Sequence, residues 1–338
     1  MTPLVFRSVE EARGRFGPCA LAIGNFDGVH IGHQALLAQA AQFVSKNGFV
    51  SQSGPAPENG FVSQNALCAA VLTFHPHPAT VVAPHRVPPT ICTLEQRIRL
   101  LAGAGAQRIL VLPFTAETAL LSPREFVSQI LVNALHTQAV VVGENFHFGH
   151  KQAGTPATLE ALGQEFGFVS QFVKPVISHR EVVSSSAIRR HLAEGDVVRA
   201  GRLLGRCFSV EGPVVSGHGI GSKQTVPTLN LRPSPGQILP RGVYVTETVE
   251  PSSGRRWHSI TNAGIRPTFG GEEVTIETFL LTPLEGPAPE NIEVRFRHFL
   301  RPERQFPTPE ALKSQIMKDV ARAQAYWRKL ARLNPSIY

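Results

Sequence analysis

The chain is poor in cysteine, with four in 338 residues: Cys19, Cys68, Cys92 and Cys207, none in a CxxC pair. We therefore expect no zinc ribbon, iron–sulfur centre or disulfide scaffold, and a reducing, cytoplasmic compartment fits best. The sequence also lacks an apolar run of the roughly 18 residues that cross a bilayer. Met1–Arg15 contains scattered charges and no apolar segment of the kind found in signal peptides. We therefore expect neither a secretory signal nor a membrane protein.

Charge is sparse as well, at 17% of residues, and it is unbalanced: 33 Lys and Arg against 25 Asp and Glu give a net charge of +8. The cations are spread along the chain without a basic tail. Such a charge suits nucleic acid but equally suits sites for polyanionic small molecules. Hydrophobic residues reach 42%, enough for real cores, and a typical domain of ~150 residues predicts about two domains.

The first 190 residues alternate between strand and helix patterns. Two helix starts carry capping boxes, Thr93–Gln96 and Ser122–Glu125. The expected elements are strands at Leu21–Phe26, Leu67–Phe74, Arg108–Pro113, Ala139–Gly143 and Phe168–Lys174, and helices beginning at Ile31, Thr93, Ser122 and Thr155. This alternation predicts a parallel sheet with helices on both faces, which binds ligands beyond the carboxyl ends of its strands.

After about Arg206 the pattern changes to short β-type stretches between Gly, Pro and Ser turns, followed by a helix from Thr308 to about Leu333. The expected strands are Phe208–Val215, Gly242–Val249, His258–Ala263, Val274–Leu281 and Ile292–Phe299. Their spacing predicts a small antiparallel barrel or sandwich. We therefore expect a first domain over 1–190, a helical linker over 191–205 and a second domain over 206–338.

A duplicated segment interrupts the first domain. NGFVSQ occurs at Asn47–Gln52 and again at Asn59–Gln64. We interpret residues of about 48–65 as an inserted surface loop, because lengthening a surface loop costs little entropy.

The clearest chemical motif is Gly24-Asn-Phe-Asp-Gly-Val-His30-Ile-Gly-His33. Here an expected strand ends in a glycine turn, and a helix begins at two histidines. Backbone N–H groups at a helix N-terminus attract phosphate, and the two imidazoles add donors at the same end. Gly32 carries no side chain, so a nucleotide can lie against the backbone.

Other segments are weaker signals by themselves. The first domain has Thr73-Phe-His75-Pro-His77-Pro, Gly143-Glu-Asn145-Phe-His-Phe-Gly149 and Val183-Ser-Ser-Ser-Ala-Ile-Arg189. The second has Gly217-His-Gly-Ile-Gly-Ser-Lys223-Gln-Thr-Val-Pro-Thr228-Leu-Asn230, Thr261-Asn262-Ala-Gly, Thr275-Ile-Glu277-Thr and Arg301-Pro-Glu303-Arg-Gln-Phe306. Read alone, most could be turns, helix caps, outward-facing strand residues or ion pairs.

Taken in this order, the motifs resemble those of the bacterial bifunctional riboflavin kinase/FAD synthetase family, whose first module carries a HIGH-type nucleotidyltransferase signature. The resemblance implies a Rossmann-like adenylyltransferase domain followed by a flavokinase β-barrel with a closing helix. It implies ATP and Mg²⁺ as co-substrate and cofactor, and riboflavin, FMN and FAD as substrates and products. Nucleic acid and membrane are not expected as partners, and the oligomeric state stays open.

The resemblance also implies roles for single residues. In the first domain, ATP would meet Gly24, Phe26, Asp27, Gly28, His30, Gly32, His33, Asn145, Ser184, Ser185, Ser186 and Arg189. His30, His33 and Arg189 would act in catalysis, and His75 and His77 would contact flavin. Asn145 stands where the family has Asp, and Ser186 where it has Thr.

In the second domain, Glu277 is the expected general base, Thr228 and Asn230 the expected ligands of Mg²⁺, and Arg301 and Glu303 the expected flavin contacts. ATP would meet Gly217, Gly219, Gly221, Lys223 and Asn262. Ser222 and Thr225 depart from the commoner Arg and Gly of the kinase loop.

Two other functions stay open at this point. His30-Ile-Gly-His33 also spells the class I aminoacyl-tRNA synthetase signature, although the Ser184–Arg189 segment lacks the lysine motif of those enzymes. A non-catalytic basic module that grips RNA or a protein is the second alternative. Intact candidate residues in both modules favour the enzyme.

Overall fold

The computed structural model describes residues 2–47, 66–215, 228–268 and 271–333, with the backbone alone over 265–268 and 271–275. The chain divides into two compact units, one of Met1–Pro88 with Thr93–Ser184 and one of Pro89–Cys92 with Ser185–Tyr338. The repeated NGFVSQ copies lie almost wholly outside the described residues, as does the glycine-rich stretch of 216–227.

The first unit contains a six-stranded parallel sheet in the order β1-β4-β3-β2-β5-β6. Its strands are β1 (Leu4–Phe6), β2 (Cys19–Ile23), β3 (Cys68–His75), β4 (Arg108–Pro113), β5 (Thr137–Gly143) and β6 (Val169–Val173). A short hairpin follows, β7 (Ile177–Ser178) with β8 (Glu181–Val182). The strand order reverses between β2 and β5, so the ligand crevice of such a sheet opens at their carboxyl ends.

Helices cover both faces of this sheet. They are α1 (Val9–Ala12), α2 (Ile31–Asn47), α3 (Ala79–Val82), α4 (Leu94–Gly103), α5 (Ala116–Leu120), α6 (Pro123–Glu125), a π-helix over Phe126–Val132 and α7 (Pro156–Phe166). Alternate residues of β2 enter two separate cores: Leu21 and Ile23 in one, Ala20 and Ala22 in the other. The expected parallel sheet with helices on both faces is therefore confirmed.

The second unit begins with two helices, α8 (Ser185–Ala193) and α9 (Val197–Leu204), which include most of the expected linker. A closed antiparallel barrel follows in the order β10-β13-β12-β11-β14-β9. Its strands are β9 (Ser209–Val215), β10 (Thr228–Leu231), β11 (Gly242–Val249), β12 (Arg256–Thr268), β13 (Gly271–Leu280) and β14 (Asn291–Arg301). Of the two expected arrangements, barrel or sandwich, the structure shows the barrel, whose closure leaves no edge strand.

The closing helix α10 (Pro309–Leu333) packs against the outside of the barrel. Its Trp327 joins Val243, Val245 and Ile260 in one apolar cluster, and its ring stacks on that of His258 at 3.9 Å between centroids. Burying such a residue contributes roughly 1.5–3 kcal/mol from the removal of apolar surface from water. The helix is thereby fixed on the face of β11 and β12.

Hydroxyl groups fill part of the barrel interior. Thr246 lies 2.8 Å from Ser259 and 2.7 Å from Thr261, and Thr261 lies 3.0 Å from Thr278, all between side-chain oxygens. These four residues are fully buried. Each hydroxyl can both donate and accept, so these four groups satisfy one another's hydrogen-bonding needs without water.

Both expected capping boxes are present. At the start of α4, Gln96 N donates to Thr93 Oγ1 at 3.1 Å and Thr93 N donates to Gln96 Oε1 at 2.9 Å. The Ser122 box has the same pair of bonds.

We expect Thr93→Ala to lower the free energy of unfolding of the first unit by about 1 kcal/mol, because an N-terminal amide of α4 loses its acceptor. Denaturant unfolding measures this change. Thr93→Ser is the matched control and should retain nearly all of the stability, since it keeps the hydroxyl. Equal losses in both variants would contradict a role for the cap.

Candidate active sites

The turn after β2 is held in a conformation that most side chains avoid. Phe26, Gly28 and Val29 have φ angles of 50°, 81° and 40°. For a β-branched residue such as Val29 this region is unfavourable, at a cost of roughly 1–3 kcal/mol. Val29 and Phe26 are buried in the core beneath the turn, which compensates for that cost. The core thus holds the backbone that carries the two histidines.

His30 and His33 lie together at the N-terminus of α2. Their rings stack at 3.5 Å between centroids, and His33 N donates to His30 Nδ1 at 3.2 Å. Because Nδ1 accepts this bond, the proton of the His30 ring lies on Nε2, which is then a donor. A Cβ at Gly32 would lie 3.2 Å from the His30 ring. The glycine therefore gives the His30 ring its room.

Phe26 and Asp27 support this turn from below. Phe26 is fully buried, and its ring lies 4.9 Å from that of His33. Asp27 is 1% exposed. The Phe26 ring therefore packs beneath His33.

The end of β3 is bonded to the same turn. Thr73 Oγ1 donates to the carbonyl of Asn25 at 3.0 Å, and the Asn25 amide nitrogen lies 3.4 Å from His77 Nε2. His77 Nδ1 accepts from Ala79 N at 3.1 Å, which starts α3. His77 therefore stands beside the strand-to-helix turn. Asn25 makes this link, and sequence reasoning did not single it out although it lies inside the motif.

His75 lies at the last position of β3, where it is exposed. Loss of solvation and then the positive charge of Arg97 lower the pKa of His75. Arg97 itself is 3% exposed and donates to Thr73 Oγ1 and to the carbonyl of Phe74. A buried cation behind the strand therefore favours a neutral His75.

The segment after β5 completes the carboxyl edge of the sheet in this unit. Asn145 is exposed there, whereas Phe148 belongs to the core and stacks on Phe146 at 5.5 Å. Phe146 and Phe148 therefore pack this segment against the core. A Cβ at Gly154 would lie within 2.6 Å of the Phe148 ring, which explains the glycine.

The serine-rich motif spans the division between the units. Ser184 ends the first unit, while Ser185, Ser186 and Arg189 begin the second on α8. Arg189 Nε donates to the carbonyl of Pro89 at 2.8 Å. This bond anchors the Arg189 side chain to the Pro89–Cys92 segment of its own unit.

Three candidate residues of the barrel form a row across adjacent strands. Glu277 of β13 pairs with Asn230 of β10 on one side and with Asn262 of β12 on the other. Paired residues of antiparallel strands point to the same face. Ile260, two residues before Asn262, packs on α10, so the row lies on the outer face of the barrel.

The row is half-buried, and Thr228 stands exposed two residues before Asn230 on the same face. It presents a carboxylate between two amides, with a hydroxyl at one end. Hydroxyl and amide oxygens are hard neutral donors, and they suit Mg²⁺, which also takes oxygens from water and phosphate. Among the described residues, no group of three or more His, Cys, Asp or Glu could hold a metal.

The two residues expected beside the flavin have protein partners. Arg301 Nε lies 2.9 Å from Asp319 Oδ2 on α10. This is the kind of ion pair that stood as the alternative to a ligand contact for this motif. Asn262 Nδ2 donates to Glu303 Oε1 at 3.1 Å. Asp319 has no recognisable motif in the sequence, and only its burial at 2% exposure reveals it. Gly217, Gly219, Gly221 and Lys223 lie outside the described residues.

An α/β unit with donors at its strand ends and a barrel with an oxygen-rich row define a two-domain nucleotide transferase. The FAD synthetase family model matches residues 13–54 and 56–187, and the riboflavin kinase model matches residues 204–327. The chain belongs to the bifunctional riboflavin kinase/FMN adenylyltransferase family. The expected family and both activities are confirmed.

Named relatives agree over most of their length. Bifunctional riboflavin kinase/FMN adenylyltransferases of Haemophilus influenzae and Escherichia coli K12 are each 32% identical to this chain. The matches cover 96% and 91% of this chain and 99% and 93% of theirs. A Streptococcus pneumoniae crystal structure described as a macrolide-efflux protein shares the fold with a TM-score of 0.80 at 24% identity, over 96% of this chain and 99% of that one. No helix within the described part of the chain meets the length and hydropathy needed to span a bilayer.

Proposed function

We propose that the two units catalyse two consecutive ATP-dependent steps, riboflavin to FMN in the barrel and FMN to FAD in the α/β unit. The register that sets Glu277 between Asn230 and Asn262 carries the first assignment. The stacked imidazoles at the start of α2 support the second.

In the barrel, Glu277 would take the proton of the ribityl 5′-hydroxyl as that oxygen attacks the γ-phosphorus of ATP, while the bond from that phosphorus to the β,γ-bridging oxygen breaks and ADP leaves. A carboxylate within hydrogen-bond reach of an alcohol can act as such a base. Thr228 and Asn230 would hold Mg²⁺, which when bound neutralises phosphate charge. The glycines of 217–221 and Lys223 would contact the triphosphate, as the family resemblance implies.

In the α/β unit, an FMN phosphate oxygen would attack the α-phosphorus of a second ATP, and pyrophosphate would leave. The nucleophile is already an anion, so positioning and charge stabilisation carry the rate. His30 would donate from Nε2, and the backbone N–H groups at the start of α2 would add further donors. His33 and Ser184 would hold the remaining phosphate oxygens.

Flavin would lie beside His75 and His77 in the first unit, and beside the segment of Arg301 and Glu303 in the second.

All four cysteines are free thiols, which favours a reducing cytoplasm as the compartment. The positive net charge would attract ATP and FMN. We propose no nucleic-acid partner.

The direct test incubates the pure protein with riboflavin, Mg²⁺ and ATP and separates the flavins by chromatography. We expect FMN to appear first and FAD to follow. ATP–pyrophosphate exchange that depends on an amino acid and not on FMN would instead favour the synthetase. A salt-sensitive RNA complex without flavin turnover would favour the binding module.

His33→Ala should lower the rate of FAD formation from FMN by about 100-fold, because one donor to the reacting phosphates is lost. Riboflavin phosphorylation should be unchanged. His136→Asn is the matched control: His136 is exposed and immediately precedes β5, at the amino end of that strand. Undiminished FAD formation in His33→Ala would remove the role proposed for this ring.

Glu277→Gln should lower FMN formation from riboflavin by about 100-fold, since an amide cannot accept the proton. Conversion of FMN to FAD should persist, and Glu285→Gln, on an exposed loop, should leave both steps intact. An equal fall of both steps in Glu277→Gln would contradict the division of labour between the units.

A further inference from the structure

Polar contacts join the end of β14 and the segment after it to α10: Arg301 pairs with Asp319, and the Arg304 guanidinium donates to Gln315 Oε1. Asp319 accepts from Arg301 Nε at 2.9 Å through one carboxylate oxygen and from Gln315 Nε2 at 2.8 Å through the other. The ring of Phe306 lies 5.5 Å from the Arg301 guanidinium and 4.8 Å from that of Arg304. Glu303 stands in the middle of this anchored segment, so its backbone position is set from α10.

Glu303 reaches the outer face of the barrel beside the proposed kinase row. Its Oε1 accepts from Asn262 Nδ2 at 3.1 Å. Its carboxylate also lies over Gly264, where a Cβ would overlap both carboxylate oxygens. Residues 262 and 264 follow each other on one face of β12. Glycine at 264 is therefore what leaves room for the carboxylate next to Asn262.

This contact decides which way the Asn262 amide faces. A carboxylate only accepts hydrogen bonds, so the NH₂ end must point to Glu303 and the oxygen must point elsewhere. Asn262 Oδ1 is buried and has no hydrogen-bond donor in the described part of the chain. A buried acceptor without a donor is unfavourable, and in a substrate site it calls for a donor on the ligand.

We infer that Glu303 is a positioning residue, which orients Asn262 so that Oδ1 accepts a hydrogen bond from a hydroxyl of the polyhydroxy alcohol substrate. The inference rests on the proposed kinase function of the barrel. Triphosphate oxygens are acceptors, so they cannot serve Oδ1, whereas a polyol offers several donors. Glu277 lies between Asn230 and Asn262 in the row. Asn230 is on the side proposed for the metal, so the alcohol would bind on the side of Asn262. The proposal thus assigns Asn262 Oδ1 to the alcohol, whereas the resemblance implies a contact of Asn262 with ATP.

The first experiment is a double-mutant cycle on riboflavin phosphorylation with the full-length protein. Glu303→Ala and Asn262→Ala should each lower kcat/KM for riboflavin roughly 10- to 100-fold with KM for ATP unchanged, because a misplaced contact weakens substrate alignment. The double variant should be no worse than either single variant. Additive losses, or an effect confined to KM for ATP, would overturn the inference.

Two further variants separate positioning from charge and from folding. Glu303→Gln keeps an acceptor for the Asn262 amide, and its kcat/KM for riboflavin should remain within about threefold of wild type. The reason is that the hydrogen bond does not require the negative charge. Gly264→Ala should match Glu303→Ala and add nothing to it. FAD formation from FMN, carried by the other unit, should persist in all variants and reports intact protein. A Glu303→Gln variant as slow as Glu303→Ala would refute positioning.

The second experiment changes the substrate. A flavin bearing an unbranched 5-hydroxypentyl chain keeps the reacting hydroxyl and lacks the others. Wild type should prefer riboflavin, and the preference should shrink at least tenfold in Asn262→Ala and Glu303→Ala, since the acceptor that reads the hydroxyls is lost. An unchanged preference would overturn the inference. Failure of wild type to phosphorylate riboflavin at all would instead refute the proposed function.

Discussion

The registration of β13 between β10 and β12 is the constraint on which the barrel site depends. Side chains alternate between the two faces of a strand, so a slip by one residue would turn Glu277 into the barrel interior. The buried hydroxyl bond of Thr261 to Thr278 opposes such a slip, because these two residues are paired on the inner face. The apolar contact of Ile260 with α10 fixes the outer face. Interior polar bonds and exterior packing thus align one carboxylate with two amides.

A comparable division of labour exists in the α/β unit. Phe26 and Val29 enter the core, and their burial holds a turn whose backbone is strained. In this turn conformation, His30 caps α2 by accepting a hydrogen bond at Nδ1, and its Nε2 is a donor. A hydrogen bond from Thr73 Oγ1 to the carbonyl of Asn25 joins this turn to the end of β3. Rigid supports behind a short loop are a common way to place donors toward a ligand.

Several elements followed directly from local chemistry. The capping boxes at Thr93 and Ser122, the helix over Ile31–Asn47 and the strand over Arg108–Pro113 agree with their patterns within a residue or two. Strand β1 escaped detection, because three residues with an exposed Leu4 carry no periodicity. The π-helix over Phe126–Val132 has no sequence signal that we recognise. Short or irregular elements depend on their neighbours and not on their own residues.

The sequence alone determined the class of each unit, the motifs and their chemical types, because periodicity, caps and glycine turns are local properties. It could not determine that Asn230, Glu277 and Asn262 share one row, since strand pairing joins residues far apart in the chain. It also could not reveal the ion pair of Arg301, whose partner Asp319 lies on another element. Register and burial arise only when the chain closes on itself, and they decide which side chains meet.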